Sequence, residues 1–109
     1  MMFEIYTKEV EIKGEKYKLR PLSGRFLAPL YQIMGAFEEA SKGKKEGAEI
    51  LKAFDKETTD NLHLIALETF KKSYPEENVE VLDEFVSQNL LTLLDTIIQI
   101  NMPNNKQDA

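Results

Sequence analysis

The chain has no cysteine, no tryptophan and a single histidine among its 109 residues. Without cysteine there can be no disulfide staple, thiolate nucleophile, cysteine-ligated zinc or iron–sulfur cluster. The absence is compatible with a reducing compartment, and a cytoplasmic location is expected. The one histidine, His63, would need further ligands to hold a metal, or a positioned nucleophile to do chemistry. Its nearest acid in sequence is Asp60, three residues earlier, on a shared helix face. His63 is therefore read as a helix-surface residue. The glycines are few and never form a phosphate loop, since Gly43 and Gly47 lack the following Lys-Ser/Thr pair and a preceding strand. The acids Glu76, Glu77, Glu80, Asp83 and Glu84 lack the alternating-oxygen loop and central glycine of a calcium site, and read as a solvated helix start. No Ser or Thr is set against a histidine base in a recognisable pattern. No catalytic, cofactor-binding or metal residue is assigned, and no enzymatic role is expected. No apolar run reaches the roughly 18 residues that a membrane span needs. MMFEIYTKEV, with an acid at position 4 and no long apolar core, does not read as a signal peptide.

Positive charge is missing from a long stretch late in the chain. From Ser73 to Asn105 there is no Lys or Arg, against six acids (Glu76, Glu77, Glu80, Asp83, Glu84, Asp95). Residues 1–25 carry six basic and four acidic side chains, and the whole chain has a net charge of −5. A nucleic-acid surface needs a basic face. The only candidates are the N-terminal stretch and Lys42, Lys44 and Lys45, each diluted by neighbouring acids, so nucleic acid is not an expected partner.

What remains is a sequence that is 42% hydrophobic and 30% charged, the balance of a single globular domain. EVEIKGEKYKLRP alternates apolar and polar residues on both sides of Lys13-Gly14. This predicts a one-sided β-hairpin over 3–20, with Val10, Ile12, Tyr17 and Leu19 inward and Phe3 and Ile5 extending the first strand. Pro21 ends the ladder, because it has no N–H to donate. An isolated two-stranded hairpin is marginal in water, so this one must pack on something.

The rest, 23–101, reads as four to five helices. Ser23 is a candidate cap for a helix to about Ala40 with Phe26, Leu27, Leu30, Ile33, Met34 and Phe37 on one stripe. Pro29 either kinks that helix or lies near its true start. SKGKKEG has nothing to bury and reads as a loop. A short helix fits Ala48–Phe54. DKETTDNLHLIALETFKKSYP reads as a helix capped by Asp55, Thr58 or Thr59 and burying Leu62, Ile65, Ala66 and Phe70. Asn78 caps a fourth helix carrying Val79, Leu82, Phe85 and Val86. Ser87 or Asn89 starts the fifth, LLTLLDTIIQI. The expected fold class is α+β, a mostly helical single domain over 1–103 with a polar, frayed tail at 104–109.

The fifth helix is apolar at positions 90, 91, 93, 94, 97, 98 and 100, too broad a face for an ordinary surface helix. It is either a central core helix surrounded by the others, or it keeps part of its face for a partner helix. Leu91, Leu94 and Ile98 form one stripe, and Leu90, Leu93 and Ile97 the adjoining one. One is expected to face the core and the other a partner. The candidate partner-binding residues are Phe85, Leu90, Leu91, Leu94, Ile97 and Ile98.

Three pieces, in order, carry a family resemblance: the ribbon with its charged exit, EIKGEKYKLRPLS; the helix end and turn KKSYPEEN; and the closing FVSQNLLTLLDTIIQIN. In pattern and length the chain resembles the tail assembly chaperones of long-tailed bacteriophages and prophages, of the Gram-positive type. The resemblance implies a non-enzymatic protein that binds and solubilises the tape measure protein, helps recruit tail tube subunits, works in the host cytoplasm and is absent from the finished virion. It implies no catalytic residue and no cofactor. Self-association is compatible with it, and the ribbon's free edge could take an added strand. Two other readings stay open, a structural head–tail or tail component and a small regulatory DNA-binding or antitoxin-like protein. The second should show a basic recognition helix, and none is visible.

Overall fold

In the computed structural model, residues 7–22 and 24–101 are described. The expected positions Phe3, Ile5 and Ser23, and the tail 104–109, lie outside them. The described chain runs as a hairpin followed by five α-helices, an α+β fold dominated by helix.

Strand β1, Lys8–Ile12, pairs antiparallel with β2, Glu15–Leu19, and Val10 stands opposite Tyr17. The two-residue turn Lys13-Gly14 has φ of 52° and 85°. Positive φ at both positions is the primed turn whose twist matches the strands, and Gly14 adopts it without steric cost. Ile12 and Leu19 are fully buried. On the outer face, Glu9 is registered with Lys18 and Glu11 with Lys16, cross-strand pairs of opposite sign that favour this alignment.

The hairpin is fastened to the helices along the outer edge of β2. The turn makes Ile12 and Glu15 a hydrogen-bonded pair, so the N–H groups of Lys18 and Arg20 point away from β1. Lys18 N–H donates to Tyr74 Oη at 2.9 Å and Arg20 N–H to Ser73 Oγ at 2.9 Å. Just beyond, Leu22 N–H donates to Asn101 Oδ1 at 2.6 Å. The expectation of a free ribbon edge is corrected here for the end of β2: side chains from the end of α3 already occupy it.

A 3₁₀ turn, Gly24–Phe26, leads into α1, Leu27–Lys42. Pro29 is the third residue of α1, where its missing N–H would have had no intrahelical partner anyway. This resolves the two sequence readings in favour of a helix starting beside the proline. At the far end Lys45 N–H bonds Ala40 O and Lys44 N–H bonds Ser41 O, the paired closure of a Schellman motif. Its left-handed position falls on Lys44, φ 62°, one residue after the glycine that could take it freely.

Helix α2, Ala48–Ala53, is short. Helix α3, Lys56–Ser73, is capped by the Asp55 carboxylate, which accepts from Thr58 N–H, and carries Lys71 and Lys72 in its last turn. Helix α4, Val79–Gln88, starts under the Asn78 side chain, which accepts from the N–H groups of Glu80 and Val81. Helix α5, Leu90–Asn101, follows after Asn89 alone.

Both α3 and the more apolar α5 meet neighbours on several sides: α1, α4, α5 and β2 pack on α3, and α1, α3, α4 and β1 pack on α5. Leu62, Ile65, Ala66, Thr69 and Phe70 supply the buried face of α3. Phe70 is the largest fully buried side chain. Its ring lies 5.3 Å from Phe85 and 5.9 Å from Tyr17, centroid to centroid, both edge-on, which joins α3, α4 and the hairpin in one aromatic cluster.

Candidate partner-binding face

The six residues singled out on α4 and α5 do not form one exposed surface. Leu94 and Ile97 are interior, with Leu93 and Ile100. Phe85, Leu90 and Ile98 are half-buried against the core. Leu91 alone is exposed, at 39%. The Leu90–Leu93–Ile97 stripe is therefore the inner one. The Leu91–Leu94–Ile98 stripe is the outer one, with Leu94 drawn in because it borders the buried arc at helical spacing. Surface roles for Leu94 and Ile97 are corrected to core roles. What α5 offers a partner is a narrow flank, Leu91 and Ile98 at i and i+7.

Phe85 is held from below by the aromatic cluster, with its ring 5.5 Å from Tyr17. Asn89 fixes the corner between α4 and α5. Its Nδ2 donates to Phe85 O at 2.8 Å, and its own carbonyl accepts from Leu93 N–H at 2.8 Å. Its Oδ1 is buried and meets no donor among the described residues. The corner is thus rigid in backbone hydrogen bonding while carrying one unsatisfied acceptor, a costly feature in an interior.

Residues the sequence reading passed over also stand in solvent. On α4, Val79 is 49% and Val81 57% exposed. Val79, named above with Leu82, Phe85 and Val86 on this helix, is its first residue and precedes Leu82, where α4 meets the core. Leu64 on α3 and Tyr31 on α1 are also exposed. Two valines among the acids of PEENVEVLDE were the available signal.

His63 lies at 2.9 Å from Asp83 Oδ1 and 3.1 Å from Ser87 Oγ, both through Nε2. Both contacts use the same nitrogen, so the three residues do not form a relay in which one group orients the histidine and another is activated by it. The expected neighbour, Asp60, instead pairs with Lys56 at 2.8 Å. His63 ties α3 to α4 across solvent-facing ground, a tertiary contact no sequence spacing reveals. Among the described residues no group of three or more His, Cys, Asp or Glu side chains is placed to hold a metal, and no helix is long and apolar enough to cross a membrane.

No protein-family model, no curated protein and no solved structure matches the chain.

Proposed function

We propose that this protein is a non-enzymatic tail assembly chaperone that binds and solubilises a tape measure protein during phage tail morphogenesis and helps bring tail tube subunits to it. The reading rests on the resemblance of the ribbon, the KKSYPEEN turn and the closing apolar helix. It is supported by one physical observation, the Leu91–Ile98 flank of α5 beside half-buried Leu90 and Phe85. An apolar flank of this kind suits a partner helix laid along it, with side chains meeting at i, i+3, i+4 and i+7. Tape measure proteins are long and largely helical, which makes helix-on-helix contact the natural mode.

Co-expression with the cognate tape measure protein tests the proposal. The expected result is soluble tape measure in the presence of this chain and aggregate in its absence. Mass spectrometry of purified particles should find no copies of the chain. Finding stoichiometric copies there would identify a structural tail component instead, and unchanged tape measure solubility would remove the chaperone reading.

A further inference from the structure

The charge on this molecule is sorted into two adjoining surfaces of opposite sign, each with its own apolar element. The first is a cleft of about 360 Å³ lined by Leu22, Arg25, Phe26, Glu68, Lys71 and Lys72. It holds three cations and one anion in a chain whose net charge is −5. Lys71 Nζ pairs with Glu68 at 3.3 Å. Lys72 Nζ donates to Pro21 O at 3.0 Å, and the Arg25 guanidinium lies 5.2 Å from the Phe26 ring centroid. Among the described residues neither Arg25 nor Lys72 has a carboxylate partner. The second surface is the turn after α3 and the outer face of α4, where Glu76 and Glu77 precede the helix and Glu80 and Glu84 border exposed Val81 at helical spacing. Lys71 and Lys72 lie in the last turn of α3, and Glu76 follows four residues after Lys72, in the turn closed by Glu77 N–H on Tyr74 O.

We propose that the basic cleft of one molecule receives the acidic, valine-bearing start of α4 from a second copy of this chain, and the reverse, about a two-fold axis. A patch carrying positive and negative halves side by side matches itself under such a rotation. Val81, the more exposed of the two valines, supplies the apolar contact that Leu22 and Phe26 can cover. The cations supply the counter-charge that four glutamates lack on their own surface. Most of these charges are exposed, and exposed ion pairs are individually weak and screened over about 8 Å at physiological salt. The association is therefore reversible and salt-sensitive. It is independent of tape measure binding, and the experiment below needs no tape measure.

Sedimentation velocity of the full chain at low and high salt is the test. At low salt the mass doubles with rising concentration; at high salt it returns to that of the monomer. Arg25→Glu with Lys72→Glu makes the cleft acidic, and Glu77→Lys with Glu80→Lys makes the α4 start basic. All four positions are exposed, and circular dichroism checks that each variant folds. Each double variant alone stays monomeric at low salt, and an equimolar mixture of the two recovers the doubled mass. The proposal is overturned by a wild-type chain that is monomeric at every concentration and salt, by variants that dimerise alone, or by folded variants whose mixture stays monomeric. The salt series on the wild type tests association, and the mixed variants test that the cleft and the α4 start carry it.

Discussion

Lys13 and Lys44 hold left-handed backbone that L-residues adopt reluctantly, with φ of 52° and 62°. Asparagine tolerates that region far better at the first turn position, and glycine suits a helix C-terminal position. Lys13→Asn and Lys44→Gly are therefore expected to raise stability, each by roughly 0.5–1 kcal/mol, because strained αL residues cost on that order. Chemical denaturation should show higher midpoints with unchanged slopes. A lower midpoint for Lys44→Gly would mean that the lysine side chain makes a stabilising contact there. A second residue-scale effect concerns Asp55. Hydrogen bonds from the Thr58 backbone and then its side chain hold the Asp55 carboxyl below its ordinary value. A depressed carboxyl contributes stability above the unfolded value, near pH 4, and loses it as pH falls through the folded one. Asp55→Asn should flatten the acid limb of a thermal-unfolding profile below about pH 4 while keeping a capping side chain in place. An acid limb identical to wild type would show that other carboxylates dominate it.

Among the elements, α5 is where apolarity and burial part company. Ile97 is fully buried and Leu91 is not. Ile97→Ala is expected to destabilise by about 2–5 kcal/mol, the range for emptying a packed site. Leu91→Ala should stay within about 0.5 kcal/mol of wild type, as surface changes do. If the proposed function holds, Leu91→Ala with Ile98→Ala should reduce tape measure solubilisation more than it reduces melting temperature. The hairpin and its inward residues were legible because period-2 alternation around a Lys-Gly turn has few other interpretations. The Asn78 cap was legible for the same local reason, while Asp55, Thr58 and Thr59 were alternatives for α3 that only the structure separates, in favour of Asp55. Side-chain pattern could not rank the helices. Helix α3 is polar on its outer face and still packs on α1, α4, α5 and β2, since the number of neighbours depends on how many share one apolar stripe. Helix α5 is apolar over a wide arc, yet one flank of that arc is left over. Nor could spacing within α3 reveal that His63 meets Asp83 and Ser87 on α4, because that contact is made by packing, 20 or more residues away in sequence.

At the scale of the whole molecule, the hairpin is joined to the bundle both by its buried face and by its edge. Ile12 and Leu19 enter the core, while Tyr74 accepts the outward N–H of Lys18 and Ser73 that of Arg20, the residue just past β2. That edge contact also prevents β2 from templating a further strand, a known liability of exposed edges. Tyr74→Phe keeps the ring that lies against Phe70 and Tyr17 and removes only the hydroxyl acceptor. Ser73→Ala removes the acceptor for Arg20 and the serine's own bond to Thr69 O. Each substitution should cost about 0.5–1.5 kcal/mol, the net worth of an intramolecular hydrogen bond near solvent. The sharper readout is local. Amide exchange at Lys18 should accelerate in Tyr74→Phe and at Arg20 in Ser73→Ala, beyond what the loss of global stability accounts for, while Val10 and Tyr17, paired within the ladder, follow the global change. With both substitutions the β2 edge lies open to water, and the protein should become more prone to concentration-dependent association that binds thioflavin. Unchanged exchange at Lys18 and Arg20 in the double variant would mean that burial of Ile12 and Leu19 alone seats the hairpin.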